Sequence, residues 1–162
     1  MRSYVKVSEI TDAPICSGMT EASVETLARH LEAVEHKKDE ILYREGSLEN
    51  NDLLIILDGN LEISTEHRFG TGGILKIKLD PGDVAGIMGF VGGKPHVGTA
   101  RAVDECRVAR LSREQFAHLC ENHPEITIQI LRFLAVALDR FFVMTLDRYN
   151  DSLSYMHGTQ KH

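Results

Sequence analysis

The spacing of apolar residues changes along the chain from a helical period to a strand period and back. From Thr20, a plausible N-cap, apolar residues recur every three or four positions through Val34, which predicts a helix that ends before the basic triplet 36–38. Over 39–111 the period shortens to two, in short segments separated by turn residues, which predicts strands. These segments are 41–43, 53–57, 61–65, 75–79, 97–103 and 106–111, with a loop over 66–73.

Helical spacing returns after Leu111. Ser112 is an N-cap candidate for a helix through Asn122, and Pro124 is suited to be the first residue of a second helix that runs to about Tyr149. The last helix carries two apolar stripes, although one is enough to pack against its own domain. The second stripe therefore predicts a partner, most simply the same helix in a homodimer. The alternative is that one monomer core buries both.

The residues assigned to the dimer contact form one of these stripes. They are Ile130, Leu134, Ala137, Phe141 and Met144. The neighbouring stripe contains Leu131, Leu138, Phe142 and Leu146.

Short strands without long helices between them favour an antiparallel fold over a parallel α/β fold. The predicted class is mainly β with flanking helices: an antiparallel, jelly-roll-like β-roll plus a long C-terminal helix. The Asp58-Gly59 pair predicts a hairpin turn between two of the strands. We assign 1–18 to an N-terminal arm, 19–149 to one domain that includes the C-terminal helices, and 150–162 to a polar tail.

Composition is that of an ordinary globular domain. The chain has 162 residues, of which 43% are hydrophobic and 26% charged. Its net charge of −6 argues against non-specific binding to nucleic acid but leaves room for a small anionic ligand in a local pocket. No apolar run reaches the length of a membrane span, so we expect no membrane contact.

The cysteines favour a reducing compartment. There are three of them, with no CxxC pair and no signal peptide, which predicts reduced thiols and a cytoplasmic location. Cys106, in a predicted strand, and Cys120, on an apolar helix face, are interpreted as core residues.

The segment 81–102 concentrates the candidate chemistry. It holds six glycines, two prolines and one histidine. Because glycine has no Cβ, such a segment lets backbone N–H groups converge on an anion. A tight corner in an all-β fold would need the same glycines.

Several enzyme and metal motifs are absent from the sequence. Gly93-Lys94 resembles the end of a P-loop, but Pro95 stands where the Mg²⁺-binding Ser or Thr belongs. There is no GxSxG, HxH, HExxH or CxxC, so we predict neither catalysis nor a metal site, and no cofactor. A cupin-like enzyme remains the least favoured alternative.

The order of these parts resembles the cyclic-nucleotide-binding domain family, which includes catabolite-activator-type sensor domains. The resemblance covers about 19–149. It rests on Glu45-Gly46, on LLIILDG at 53–59, and on Pro81-Gly82-Asp83, Gly86, Thr99 and Ala102.

The resemblance implies that 81–102 is a phosphate-binding cassette. In the family, a short helix presents backbone N–H groups to the cyclic phosphate, an arginine binds the phosphate, and a glutamate accepts a hydrogen bond from the ribose 2′-OH. The positions implied for ligand binding are Gly86, Ile87, Met88, Gly89, His96, Val97 and Gly98.

Two of these positions depart from the family pattern. Ile87 stands in the place of the glutamate and His96 in the place of the arginine. An isoleucine cannot accept a hydrogen bond, and a histidine offers at most partial charge near neutral pH.

The sequence thus predicts a non-catalytic regulatory module with weak, altered or absent binding of cAMP or cGMP. The alternative is a working cyclic-nucleotide sensor in which His96 and the cassette amides hold the phosphate, or a site for another small anion. A protein partner is possible. The 13 residues after 149 are too few for a helix-turn-helix, so we expect no DNA binding by this chain alone.

Overall fold

The computed structural model describes residues 3–66 and 75–158, without the side chains of 152 and 155–158. Most of the predicted loop 66–73 lies outside these residues. Within them the chain forms nine strands, five α-helices and one 3₁₀ turn. These are β1 Ser3–Tyr4, α1 Val7–Ile10, the 3₁₀ turn Pro14–Cys16, α2 Glu21–Arg29, β2 Glu32–His36, β3 Ile41–Tyr43, β4 Leu53–Asp58, β5 Leu61–Thr65, β6 Leu75–Leu79, β7 Val84–Ala85, α3 Ile87–Gly92, β8 Thr99–Ala102, β9 Cys106–Leu111, α4 Arg113–Asn122 and α5 Pro124–Gly158.

The strands form two antiparallel sheets that face each other. One has the order β1-β2-β9-β4-β7 and the other β3-β8-β5-β6. Neighbours in both sheets include strands far apart in sequence, as in the pairs Leu53–Leu111 and Ile63–Ala100. This arrangement confirms the predicted β-roll with flanking helices.

Strand β4 reads as a continuous apolar run because both of its faces are covered. Leu53 and Ile55 pack with α2, α4 and α5 in one core, which we call the helical core. Leu54 and Ile56 pack between the two sheets in a second core. All four are buried. The two cores fix the five-stranded sheet between the helices and the other sheet.

The first predicted helix is too long. Thr20 caps α2 as expected, since its side chain accepts a hydrogen bond from the Ser23 amide, but α2 ends at Arg29. Strand β2 begins at Glu32, and its Val34 pairs with Val108 of β9. Apolar residues at 31 and 34 fit both a helix and the end of a helix followed by a strand. Pairing with β9 settles the choice in favour of the strand.

The prediction of a hairpin at Asp58-Gly59 is wrong. Strands β4 and β5 belong to different sheets, so this turn is a corner that carries the chain from one sheet to the other. Gly59 has φ 73°, and a Cβ there would lie 2.7 Å from the Cβ of Cys106. The corner therefore requires glycine for both backbone conformation and space.

We expect Gly59→Ala to destabilise the protein more than Gly46→Ala. Gly46 has a similar φ of 78° but nothing within 4 Å of a built Cβ, so it isolates the backbone cost of about 1–2 kcal/mol. Gly59→Ala adds an overlap with the 105–106 backbone, and we expect a total of about 3 kcal/mol. Urea unfolding of the two variants measures the difference. Equal losses would mean that the corner relaxes freely.

The C-terminal helices begin as predicted. The Ser112 side chain accepts a hydrogen bond from the Gln115 amide, and Pro124 opens α5. However, α5 continues past Tyr149 to Gly158, so the predicted polar tail is helical over most of its length. The physical reason is visible in the sequence, since Gly158 is the first glycine or proline after Pro124.

The cysteines divide into two buried residues and one exposed residue. Cys16 and Cys106 are buried free thiols, and burial raises the pKa of each to about 11. Cys120 is exposed, so its assignment to the core is wrong. Helix α4 buries only Leu119 completely, because it packs against the domain along a narrow face.

Candidate functional site

The glycine-rich segment folds as a short strand, a sharp turn and a short helix. Strand β7 leads into Gly86, which has φ 83° and caps α3, and Gly93 with φ 60° ends the helix. A Cβ on Gly86 would lie 2.5 Å from the Asp52 carbonyl oxygen. The loop before β4 therefore presses directly on the start of α3, and only glycine permits that approach.

The seven predicted ligand residues differ widely in burial. Met88 and Val97 are exposed, Val97 by 65%, and Ile87 packs against the helical core. Gly86, Gly89, His96 and Gly98 are buried, and a Cβ on Gly98 would lie 2.9 Å from both Ile63 and the Ser64 carbonyl. The cassette has the backbone form of a cradle, while its side chains point in several directions.

His96 is buried within the protein, with an exposed fraction of only 4%. Its Nε2 lies 3.0 Å from the Glu49 carbonyl oxygen, and its ring stacks on Tyr43 with centroids 3.8 Å apart and planes 12° apart. The His96 backbone is also bound, since its N–H donates to Ser47 O and its C=O accepts from Gly46 N. A carbonyl oxygen can only accept a hydrogen bond, which favours Nε2 as the protonated nitrogen.

Tyr43 is a cassette contact that the sequence interpretation missed. It lies on β3, and its hydroxyl accepts a hydrogen bond from the Gly86 amide. Burial raises the pKa of the phenol well above its usual range, an effect that this hydrogen bond partly opposes. The tyrosine thus holds a backbone N–H at the start of α3. Its only sequence signal was its alternation with Ile41 in a predicted strand.

Glu45 ties the early strands to the end of β5. Its carboxylate accepts hydrogen bonds from the Glu66 amide at 2.7 Å and the Thr65 hydroxyl at 3.4 Å, and its own amide donates to the Thr99 hydroxyl. The Glu45 carboxylate therefore holds the end of β5 next to the turn at Glu45-Gly46.

Asn51 is a second residue that the sequence did not single out. Its Oδ1 is buried without a hydrogen-bond partner among the described residues, and it packs against Gly89 so closely that a Cβ there would overlap with it. Buried acceptors are normally satisfied, so an unpaired one marks a place where a donor would be bound favourably.

A cavity of about 120 Å³ lies on the inner face of β2, β9 and β4, and none of the seven predicted ligand residues lines it. Beside the cavity, Arg110 forms ion pairs with Glu32 at 2.5 Å and with Asp52 at 3.3 Å. Arg110 and Asp52, which both line the cavity, are therefore already paired with each other. The lining residues are Val34, His36, Leu42, Asn50, Asp52, Leu54, Val108 and Arg110.

Helix α5 divides the predicted dimer residues into two groups. Ile130 and Leu134 are buried in the monomer core, so their assignment to a dimer contact is wrong, while Ala137 is partly buried and packs against that core. Phe141 and Met144 are exposed. The neighbouring stripe, by contrast, is exposed along its whole length at Leu131, Leu138, Phe142 and Leu146.

Two features are absent from the described residues. No helix among them is long and apolar enough to span a bilayer. No three or more His, Cys, Asp or Glu side chains in 3–66 and 75–158 are grouped so that they could hold a metal ion together.

The cyclic nucleotide-binding domain model matches residues 33–123, which is more than half of the chain. The chain belongs to this family. It is 27% identical over 128 residues to the CRP-like cAMP-activated global transcriptional regulator of Mycobacterium tuberculosis, covering 79% of this chain and 56% of the regulator. It spans only 7% of a longer curated relative, so it corresponds to one part of these proteins.

Solved structures show the same fold. A cyclic nucleotide-binding domain from Methylobacillus flagellatus has a TM-score of 0.81 at 23% identity, covering 90% of this chain and 83% of that one. The regulatory subunit of a cAMP-independent protein kinase A from Trypanosoma cruzi, bound to guanosine, has a TM-score of 0.66 at 21% identity, covering 89% and 50%.

Proposed function

We propose that this family member is a non-catalytic regulatory module in which binding of cAMP and cGMP is weak, altered or absent. The observation that carries the proposal is the position of His96. At the place of the phosphate-binding arginine, its ring is buried, stacked on Tyr43 and hydrogen-bonded to Glu49 O. To reach a phosphate it would have to give up both contacts, and it would still lack the two parallel N–H donors of an arginine.

The other two cassette functions are also reduced. The Tyr43 hydroxyl already accepts the Gly86 N–H, which is one of the amides at the start of α3. Ile87 packs on the helical core and presents no acceptor to a ribose hydroxyl. Loss of the arginine contact costs about 2–5 kcal/mol and loss of the ribose contact about 1–3 kcal/mol. A micromolar site would weaken by at least about a hundredfold.

The second candidate function is a working ligand sensor, and Asn51 favours it. Its unpaired Oδ1 is buried against Gly89, so a ligand that separated the two residues would find an acceptor there. A site without charged ligand-binding side chains suits a neutral nucleoside better than a cyclic phosphate. The guanosine bound by the Trypanosoma cruzi neighbour supports including such a ligand in the test.

Isothermal titration of the protein with cAMP, cGMP and guanosine at pH 6 and pH 8 separates the candidates. We expect no cyclic-nucleotide binding in the micromolar range at either pH. Tight cAMP binding at pH 6 that weakens at pH 8 would instead support a sensor that uses protonated His96. Binding of guanosine alone, independent of pH, would identify a neutral-ligand site.

We further propose that the module is a cytoplasmic homodimer with α5 as the contact. The three free thiols support a reducing location. Every residue of α5 from 138 to 151 is exposed, including seven large apolar ones, and a partner helix would cover those on the stripe of Leu138, Phe142 and Leu146. The apolar residues are Leu138, Phe141, Phe142, Val143, Met144, Leu146 and Tyr149.

A further inference from the structure

We propose that His30 and His118 form a binding site for a divalent transition-metal cation of the kind that imidazoles bind, such as Zn²⁺, Ni²⁺ or Cu²⁺. His30 is the C-cap of α2, and His118 lies on α4, 88 residues further along the chain. Their Nε2 and Nδ1 atoms are 3.2 Å apart, and the ring centroids are 5.2 Å apart. The site is separate from the cassette and does not depend on its ligand.

The His30 ring is oriented as a metal ligand would be. Its Nδ1 lies 2.8 Å from the Thr26 carbonyl oxygen, which can only accept, so Nδ1 carries the proton. In the neutral ring, Nε2 then holds a free lone pair that points at His118. A backbone carbonyl that fixes the tautomer and the ring orientation in this way is the usual second partner of a metal-binding histidine.

The spacing of the two nitrogens fits a shared ion. Two ligand nitrogens at 2.0–2.1 Å from a tetrahedral Zn²⁺ are about 3.3 Å apart. Without an ion, the same pair shares one proton as an N–H···N hydrogen bond. Because His118 is exposed, water can fill the remaining coordination positions.

A third imidazole stands beside the pair. The His123 ring lies edge-on to His30, with centroids 6.2 Å apart, and its Nδ1 is 3.7 Å from Glu125 Oε1. It does not converge with the other two, so His30 and His118 are the two ligands of the proposed site. His123 directly precedes α5, so a bound ion would tie α2 and α4 together at the base of that helix.

Titration of the full chain with ZnCl₂, NiCl₂ and CuCl₂ tests the site. Calorimetry should detect one bound ion, with Cu²⁺ the tightest of the three. His118→Gln and His30→Gln should each weaken binding at least about tenfold. His36→Gln is the matched control, since His36 lies on β2 and is paired with Glu40, and it should leave this binding unchanged. Binding should also weaken at pH 5.5, because protonated imidazoles cannot bind the ion.

Ring ¹⁵N spectra of the histidines locate the ion independently of affinity. His118 is exposed, so His118→Gln is expected to keep the fold, and amide spectra verify this. Zinc-dependent shifts at His30 Nε2 and His118 Nδ1 in the wild type support the proposal. Undiminished binding in the double variant, or the absence of binding and ring shifts in the wild type with all three ions, would overturn it.

Discussion

Glutamate at Phe142 or Leu138 is expected to convert a dimer of this chain into monomers. Both side chains lie on the exposed stripe of α5, and Phe142 is 63% exposed. A 35-residue helix is about 52 Å long, and Ala137 is the last of its residues packed against the helical core. The length after Ala137 presents Leu138, Phe142 and Leu146, which continue the exposed face of Leu131 and which only a partner can cover.

The expected size of the effect follows from burial. Covering a Leu or Phe side chain contributes about 1.5–3 kcal/mol, and a two-fold contact uses each substituted residue twice. One glutamate should therefore raise the dimer dissociation constant at least about a hundredfold. Sedimentation equilibrium over a range of protein concentrations measures the change.

Val143→Glu provides the matched control. Val143 is also exposed on α5, by 48%, but it lies off the stripe that Leu138 and Phe142 share. If the stripe of Leu138 and Phe142 is the contact, Val143→Glu introduces the same charge but leaves the dimer dissociation constant nearly unchanged. A monomeric wild type at high concentration would contradict the proposal, and equal dissociation by both glutamates would place the contact on another face.

The sequence identified six of the nine described strands because their signal is local. Alternation in 61–65 and 75–79, and the short apolar run at 53–57, need no knowledge of partners. Sheet membership is not local. Asp58-Gly59 has the composition of a hairpin turn, yet β4 pairs with β9 and β5 with β8. Likewise Val34 is in a strand because Val108 lies beside it.

The candidate site also combines features that depend on local sequence with features that depend on distant residues. The turn at Gly86 and the short helix after it could be predicted from the motif, because glycine meets a local backbone demand there. The inward position of His96 could not, since it depends on Tyr43 and on a carbonyl 47 residues away. On α5, helical spacing defined both stripes but could not show that Ile130 and Leu134 face the domain core.

Restoring the family's arginine at His96 is expected to create cAMP binding. An arginine is too long for the buried position that His96 occupies, so we expect its guanidinium to extend toward the cassette and offer paired N–H donors to the phosphate. The gain should be about 2–5 kcal/mol, or at least about thirtyfold in affinity.

Val97→Arg separates this contact from a general effect of charge. Val97 is the next residue and is exposed, so an arginine there adds the same charge but extends into solvent. We expect titration calorimetry to detect cAMP with His96→Arg and not with Val97→Arg, and to show the gain shrinking at high salt. His96→Arg removes the contacts of His96 with Tyr43 and Glu49 O. Urea unfolding of each variant measures the stability lost with them. If folded His96→Arg binds cAMP no better than the wild type, the lost arginine is not what limits binding, and the hydroxyl of Tyr43 on the Gly86 amide becomes the principal obstacle.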